Sequence, residues 1–161
     1  MHMQLSARGE TMAKKQQKNT ENTIASECIA MRLRMLNRVA TRIYDDALRS
    51  LGLRSAQLTI LVAAAKLGVA RPAELSERLQ IEVSTLSRNL ERMKDKGWLK
   101  VIPDEDGRAQ PMRLTRKGRV LLERAKPKWD EAQLEIKKLL GANAFDTIED
   151  AAQRVRGKDI K

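Results

Sequence analysis

The sequence predicts a mainly α-helical fold with one small β-hairpin. Apolar residues recur every three or four positions over most of the chain, which is typical of amphipathic helices. Only two short stretches, WLKVI at residues 98–102 and PMRLT at residues 111–115, are typical of paired strands. The chain has 161 residues, 42% hydrophobic and 33% charged, so it can form one soluble domain with its own core.

The charge of the chain is strongly basic. Lys and Arg total 32 against 21 Asp and Glu, which gives a net charge of +11. An excess of this size favours a polyanion as the partner. The longest nearly apolar run, residues 58–65, is too short to cross a bilayer. The chain opens with no signal-peptide pattern, so we expect a cytoplasmic protein without a membrane partner.

Residues that carry enzyme or metal chemistry are scarce. With one histidine, His2, and one cysteine, Cys28, the chain has no His/Cys metal cluster, no Cys–His dyad and no internal disulfide. A glycine-rich phosphate loop is also absent from the sequence. The carboxylates are scattered among basic residues, as on a solvated surface, and only a carboxylate-only active site is left open. We expect no catalytic residue, no metal and no cofactor.

The helices follow from apolar spacing, capping residues and proline or glycine at their ends. These signals predict helices over residues 23–50, 55–67, 71–79, 82–96 and 115–140, and a last helix that begins near Asn143. Residues 1–22 are polar and basic, as in a flexible arm. Glycines at 52, 68 and 97 mark three helix ends, and Thr115 is the predicted cap of the long helix.

The same spacing predicts which residues are buried. One apolar face of the 82–96 helix comprises Val83, Leu86, Leu90 and Met93. The 55–67 helix has a corresponding face made of Leu58, Leu61, Val62 and Ala65. Three aromatic residues are expected in the core: Trp98, Trp129 and Phe145. The apolar stripes of the first helix and the last two exceed what a small domain can cover alone, so we expect a second copy of the chain to cover them. The alternative is a monomer that folds its ends back on itself.

The order of the elements predicts a winged helix. The 71–79 and 82–96 helices are joined by a turn of a few residues, which is the helix-turn-helix arrangement. The two strands that follow enclose PDEDGRAQ, residues 103–110, a charged loop too long for a tight hairpin turn. A helix-turn-helix followed by a ribbon with a protruding charged tip is a winged helix-turn-helix. The full fold class is therefore mainly α with a β-hairpin wing, together with a helical dimerisation region.

Three runs of sequence carry a resemblance to a known family: LRSLGLRSAQLTIL, RPAELSERLQIEVSTLSRNLERMKDKGWL and DEDGRAQPMRLTRKG. Over residues 24–156 the chain resembles the MarR family of transcriptional regulators, named for multiple antibiotic resistance. Asp106-Gly107-Arg108 is similar to the family's wing pattern, and Leu114-Thr115 with Gly118 to its signature at the start of the long helix. The resemblance implies a homodimer with a winged helix on each protomer. It also implies a repressor, or less often an activator, that responds to a small molecule or to oxidants.

We predict that the 82–96 helix lies in the major groove of duplex DNA, with its first residues at the base edges. Successive helical residues are about 100° apart, which places Arg88 roughly opposite the apolar face. Ser84, Thr85 and Ser87 are candidates for phosphate or base contacts, and Arg88 for a guanine. More cations are candidates: Arg92 for a phosphate, Arg108 at the wing tip for the minor groove, and Arg113, Arg116 and Lys117 for the DNA backbone. The alternative is that these are ordinary exposed residues, with Arg92 paired to a nearby acid and Arg108 paired to Asp106.

The predicted domains are an arm at residues 1–22, a DNA-binding domain at residues 55–115, and a helical dimerisation region at residues 23–54 and 116–157. The resemblance implies an effector pocket between the DNA-binding domain and the dimerisation region. The candidate residues that line it are Met31, Met35, Ile43 and Leu61. Their alternative role is simple core packing. For Cys28 we favour packing, since Glu27 and an apolar face disfavour the thiolate that redox sensing requires.

The predicted function is a sequence-specific, duplex-DNA-binding transcriptional regulator that acts as a homodimeric repressor and is relieved by a small molecule. The alternative is a winged-helix protein–protein module that does not bind DNA. Binding to RNA or single-stranded DNA is disfavoured because the few aromatic residues form no stacking platform.

Overall fold

A computed structural model describes residue 16, residues 19–103 and residues 110–155. Residues 19–27 are helical. They are followed by α1 (Ile29–Leu48), a 3-10 turn (Arg49–Leu51), α2 (Ser55–Leu67), α3 (Pro72–Leu79), α4 (Val83–Asp95), β1 (Leu99–Val101), β2 (Met112–Leu114), α5 (Arg116–Leu140) and α6 (Ala144–Val155). The predicted fold class is confirmed. Among these helices none is long and apolar enough to span a membrane.

The chain divides into two units, residues 1–40 and residues 41–161. In the first unit helical hydrogen bonding continues through Cys28, whose N–H donates to Ile24 O at 3.0 Å and whose carbonyl accepts from Arg32 N at 3.3 Å. Residues 19–22 are helical, although the sequence pattern assigns them to the arm. The predicted boundary is therefore too late, because neither proline nor glycine interrupts the chain there.

The hydrophobic core of the second unit is formed by the end of α1, by α2, α3, α4 and the hairpin, and by the first half of α5. Its largest fully buried side chains are Leu48, Leu53, Ile60, Leu61, Leu75, Leu86 and Met93. The bounds of α2 are as predicted, but its predicted face is wrong in part. Val62 is 41% exposed, whereas Ile60 is 0% exposed. Apolar residues surround nearly the whole of α2, so their spacing does not single out one side.

The aromatic side chains differ in burial. Trp98 is buried, as predicted, and Trp129 is partly buried. Phe145 is 40% exposed, so its predicted place in the core is wrong. It lies near the start of α6, where the Nζ of Lys137 is 4.3 Å from its ring centroid. The ring thus has a cation of α5 on one side and remains partly open to solvent.

Polar contacts fix the end of α1 to α2 and α5. The backbone N–H of Ser55 donates to Asp45 Oδ1 at 2.7 Å, which satisfies one of the unpaired donors at the start of α2. The hydroxyl of Tyr44 donates to Gln133 Oε1. Burial raises the pKa of the Tyr44 phenol, so the hydroxyl keeps the proton that this hydrogen bond requires.

The hairpin is attached to the segment that precedes α3. Strands β1 and β2 are antiparallel, with Leu99 opposite Leu114 and Val101 opposite Met112. On its other side Met112 pairs with Ala70, and the two residues exchange two backbone hydrogen bonds of 2.8 Å each. The wing and the helix-turn-helix are therefore joined by backbone hydrogen bonds.

The start of α5 meets the backbone between α4 and β1. Thr115 Oγ1 accepts from Gly118 N at 3.0 Å, so Thr115 caps α5 as predicted. The same hydroxyl donates to Gly97 O at 2.7 Å, and Thr115 N donates to Trp98 O at 3.0 Å. A Cβ at Gly118 would lie 2.3 Å from Trp98 O, which is far inside van der Waals contact. Only glycine allows α5 to approach Trp98 this closely.

We expect Gly118→Ala to lower the free energy of unfolding by about 1–3 kcal/mol, because the backbone at Trp98 must move to admit the methyl group. Helix propensity alone would change it by about 1 kcal/mol in the opposite direction. Urea denaturation at a fixed protein concentration measures the difference. The control is Arg119→Ala at the exposed neighbouring position, which should change stability by no more than about 0.5 kcal/mol. A Gly118→Ala variant as stable as the parent would contradict the close contact.

Candidate nucleic-acid interface

The turn between α3 and α4 is built without glycine. Gln80 adopts a left-handed conformation, with φ of 51° and ψ of 45°, which is uncommon for a residue with a side chain. Local hydrogen bonds hold it there: Ile81 N donates to Ser76 O at 3.1 Å, and the Gln80 side-chain amide donates to Glu77 O at 2.8 Å. The Ser76 hydroxyl also donates to Ile81 O at 2.7 Å. These bonds fix the direction in which α4 leaves the turn.

Three buried residues determine which face of α4 is exposed. Leu86, Leu90 and Met93 are 1%, 2% and 0% exposed and belong to the core. Because they share one side of the helix, the residues on the other side face outward. The predicted contact residues on α4 are all exposed: Ser84, Thr85, Ser87, Arg88 and Arg92. Hydroxyl groups and an arginine thus occupy the first two turns of a rigidly held helix.

Val83 is not part of the buried face, and its predicted burial is wrong. Its side chain is 63% exposed, although it lies one turn before Leu86. It is the first residue of α4, and the side chain of Glu82, which precedes it, makes no capping hydrogen bond. The apolar spacing extends to the first residue of α4, but the hydrophobic core does not extend that far along the helix.

The other end of α4 is fixed by a lysine. Lys96 Nζ donates to Gly52 O at 2.8 Å and lies 4.5 Å from the centroid of the Trp98 ring. The backbone N–H of Trp98 donates to Met93 O at 2.9 Å. The turn after α1 therefore contacts the last turn of α4, which sets the helix position independently of its first turns.

The outward cations of α4 differ in their pairing. Glu91 pairs with Lys94 at 2.7 Å, which lowers the charge available on that side. Within residues 19–103 and 110–155, Arg88 and Arg92 make no ion pair or hydrogen bond through their side chains. Asn89 donates to Thr85 O at 3.0 Å, so its amide is bound to the helix itself. Arg88 and Arg92 are the side chains of α4 that remain available to an external anion.

The hairpin presents a second pair of cations. Arg113 is exposed between buried Met112 and Leu114, and Lys100 is directly opposite on β1. Like charges at directly opposed positions destabilise a strand pair, so this arrangement favours an anion between them. Lys100 was missed by sequence reasoning, which treated each strand alone. Pairing WLKVI with PMRLT in register would have found it.

A third group of cations lies around Trp98. Arg116, Lys117 and Arg124 are exposed and line a shallow cleft whose floor comprises Leu51, Trp98, Val120 and Leu121. Trp98 follows the last turn of α4, whereas Ser84 and Thr85 are in the first. Since α4 has 13 residues, about 20 Å separates its two ends. These cations are therefore separate from the first turn of α4, whereas Arg116 and Lys117 follow closely after β2 of the hairpin.

The remaining predicted site residues are Arg108 of the wing, the candidates for the effector pocket, and Cys28. Arg108 lies outside the described residues, together with Asp106 and Gly107. Of the predicted pocket residues, Met31 and Met35 are 50% and 60% exposed in the first unit. In the second unit Ile43 is partly buried, and Leu61 is fully buried in the core. Cys28 is a partly buried thiol. Among the residues described, no group of three His, Cys, Asp or Glu side chains could hold a metal ion.

Comparisons with known proteins agree with this geometry. A sequence profile described as the MarR family matches residues 51–109. The multiple antibiotic resistance protein MarR of Salmonella typhimurium is 30% identical over 118 residues, which cover 71% of this chain and 81% of that protein. MarR of Escherichia coli K12 is 26% identical over 125 residues, covering 76% of this chain and 87% of that protein.

Two solved structures are similar over most of this chain. A mutant of E. coli MarR complexed with operator DNA has a TM-score of 0.73 at 24% identity, covering 83% of this chain and 97% of that chain. The M. tuberculosis transcriptional regulator MOSR, in complex with DNA, has a TM-score of 0.65 at 32% identity, covering 81% of this chain and 99% of that chain. The winged helix-turn-helix fold derived above is the fold of these proteins.

Proposed function

Because the chain belongs to the MarR family, we propose that it is a transcriptional regulator that binds specific sites on duplex DNA as a homodimer. The observation that carries the proposal is the exposed first half of α4. There Ser84, Thr85, Ser87 and Arg88 project from a helix whose opposite face is buried. A helix of this kind fits the major groove, where its N-terminal residues reach the base edges. The net charge of +11 supports a polyanion as the partner.

Arg88 is the principal base-contacting residue in this proposal. It is exposed, it has no partner among the residues described, and it lies roughly opposite the buried face of α4. An unpaired guanidinium can donate two parallel hydrogen bonds to O6 and N7 of a guanine. The hydroxyls of Ser84, Thr85 and Ser87 can donate to phosphates or to base edges, which fixes the register of the helix in the groove.

Lys100 and Arg113 bind the phosphate backbone in this proposal, together with Arg92. The two hairpin cations are opposed on the exposed face of the ribbon. A phosphate between them would relieve their repulsion and would release condensed counterions from the DNA. Their binding energy is independent of base sequence, so they position the protein rather than select the site.

A second copy of the chain covers the exposed apolar residues of the terminal helices in this proposal. In the second unit these residues are on the C-terminal half of α5 and on α6: Leu134, Leu139, Phe145, Ile148 and Val155. In the first unit they are Ile24, Ile29, Met31, Leu33, Met35 and Val39. Monomeric proteins rarely expose clustered apolar residues in such numbers. A two-fold dimer would bury them and would present two copies of α4 to the DNA.

We further propose that the protein represses transcription and that a small molecule relieves the repression. A dimer bound across a promoter would block RNA polymerase. A ligand that binds more tightly to a dimer conformation in which the two α4 helices cannot both reach the DNA would increase the population of that conformation and release the DNA. The candidate lining residues with exposed side chains are Met31 and Met35, both in the first unit. Methionine adapts readily to ligands of different shape.

Selection of the preferred duplex from a random library tests the proposal as a whole. We expect a pseudo-palindrome whose half-site centres are about 10 base pairs apart, as a two-fold dimer requires. Light scattering of the complex should give two protomers for each duplex. Single-stranded DNA of the same sequence serves as the control and should compete poorly. Failure to enrich any duplex would favour the alternative of a protein–protein module.

The Arg88→Ala variant should weaken binding to the selected duplex by about 1–3 kcal/mol and relax the preference at one base pair in each half-site. Fluorescence anisotropy on the selected duplex and on single-base variants measures both effects. Arg124→Ala is the matched control, because it removes the same charge from the cleft beside Trp98. If both variants lose the same affinity, Arg88 contributes only charge and the assignment of a base contact is wrong.

The Lys100→Glu variant should have opposite effects on folding and on DNA binding. A glutamate opposite Arg113 forms a cross-strand ion pair that stabilises the protein by about 0.2–1 kcal/mol. The slope of log affinity against log salt concentration should fall by about 2, since a dimer loses two phosphate contacts. Arg124→Glu changes the charge by the same amount and should retain the parent slope. An unchanged slope for Lys100→Glu would place the hairpin cations away from DNA.

A further inference from the structure

Val83 is an exposed apolar residue at the first position of α4. Its side chain is 63% exposed, beside the exposed hydroxyl-bearing residues Ser84 and Thr85. The core residues Leu86, Leu90 and Met93 on the same helix are nearly inaccessible. Val83 therefore contributes little to the packing of the hydrophobic core.

Helix formation does not account for a valine at this position either. Valine loses side-chain freedom in a helix and has a lower propensity than alanine, lysine or glutamate. Position 83 begins the helix, where an acidic residue would interact favourably with the helix dipole, and α4 has none in its first turn. Both local effects favour other residues at position 83.

The proposed DNA complex offers an apolar surface to this side chain. The first residues of α4 point at base edges in the major groove, and the only methyl group that the four bases present there is the C5-methyl of thymine. The branched side chain of valine has two methyl groups and strongly preferred rotamers, so contact with a thymine costs little side-chain entropy. Valine offers no hydrogen bond to a phosphate or to a polar base edge.

We propose that Val83 packs against the C5-methyl group of a thymine in each half-site and so determines specificity for thymine at one defined position. The inference rests on the proposed function and extends it to a contact that involves no hydrogen bond. Arg88 and Val83 then have different roles: the arginine selects a guanine by its acceptors, and the valine selects a thymine by its methyl group.

The contact is tested by removing its two partners separately, the Val83 side chain from the protein and the C5-methyl group from the DNA. In the preferred duplex each thymine is replaced in turn by deoxyuridine, symmetrically in both half-sites, which deletes the C5-methyl and leaves base pairing unchanged. Affinities are measured for the parent, for Val83→Ala and for Val120→Ala. Val120 is the matched control, because it is a 44% exposed valine beside Trp98, at the opposite end of α4.

At one position the parent and Val120→Ala should lose about fourfold in affinity for each half-site, or about fifteenfold for both, as expected for the loss of one buried methyl group. Val83→Ala should bind the thymine duplex more weakly than the parent does, and it should be insensitive to deoxyuridine at that same position. Circular dichroism should give the same helix content for all three proteins.

Three results would overturn the proposal: a preferred site without thymine, a parent insensitive to deoxyuridine at every position, or an equal loss in Val83→Ala. Each of them leaves the proposed function intact as long as the parent still prefers one duplex. A parent that prefers no duplex at all contradicts the proposed function, and the role of Val83 fails with it.

Discussion

The position of the candidate interface depends on one close backbone contact, between the first turn of α5 and Trp98. Gly118 lets the helix approach Trp98 O, and Thr115 bonds to Gly97 O, to Trp98 O and to its own helix. Trp98 connects α4 to β1, so this contact joins α4, the hairpin and α5 at one point. A shift there would move α4 and the hairpin relative to α5, and with them every proposed DNA contact.

Three residues at the candidate interface lower the stability of the isolated protein. Lys100 and Arg113 are opposed like charges. Val83 is an exposed valine where the helix dipole favours an acid. At each of these positions another residue would make the isolated protein more stable, and all of these positions are on α4 or the hairpin. Departures that cluster in this way are expected where a surface is shaped by a ligand rather than by folding.

Sequence predicted the elements well because their signals are local. Pro72 marks the first turn of α3, and Thr115 caps α5, whatever surrounds them. Burial was less predictable, because spacing gives the angle of a residue around the helix and not the extent of the core along it. Val83 lies within about 20° of Leu90 around the helix but beyond the core. The pairing of Lys100 with Arg113 requires the strand register, which neither strand contains alone. The exposure of Arg88 was predictable because it lies opposite three leucine or methionine side chains.

The excess positive charge of the chain does not by itself locate the DNA. Arg116, Lys117 and Arg124 surround the cleft at Trp98, about 20 Å from the first turn of α4. At physiological salt the Debye length is about 8 Å, so charges at that distance would add little to the attraction of a phosphate at Ser84, in the first turn. Net charge therefore favours a polyanion as the class of partner, whereas the burial of one side of α4 leaves the other side as the face proposed to meet it. The two observations are independent, and only the second distinguishes one side of the molecule from another.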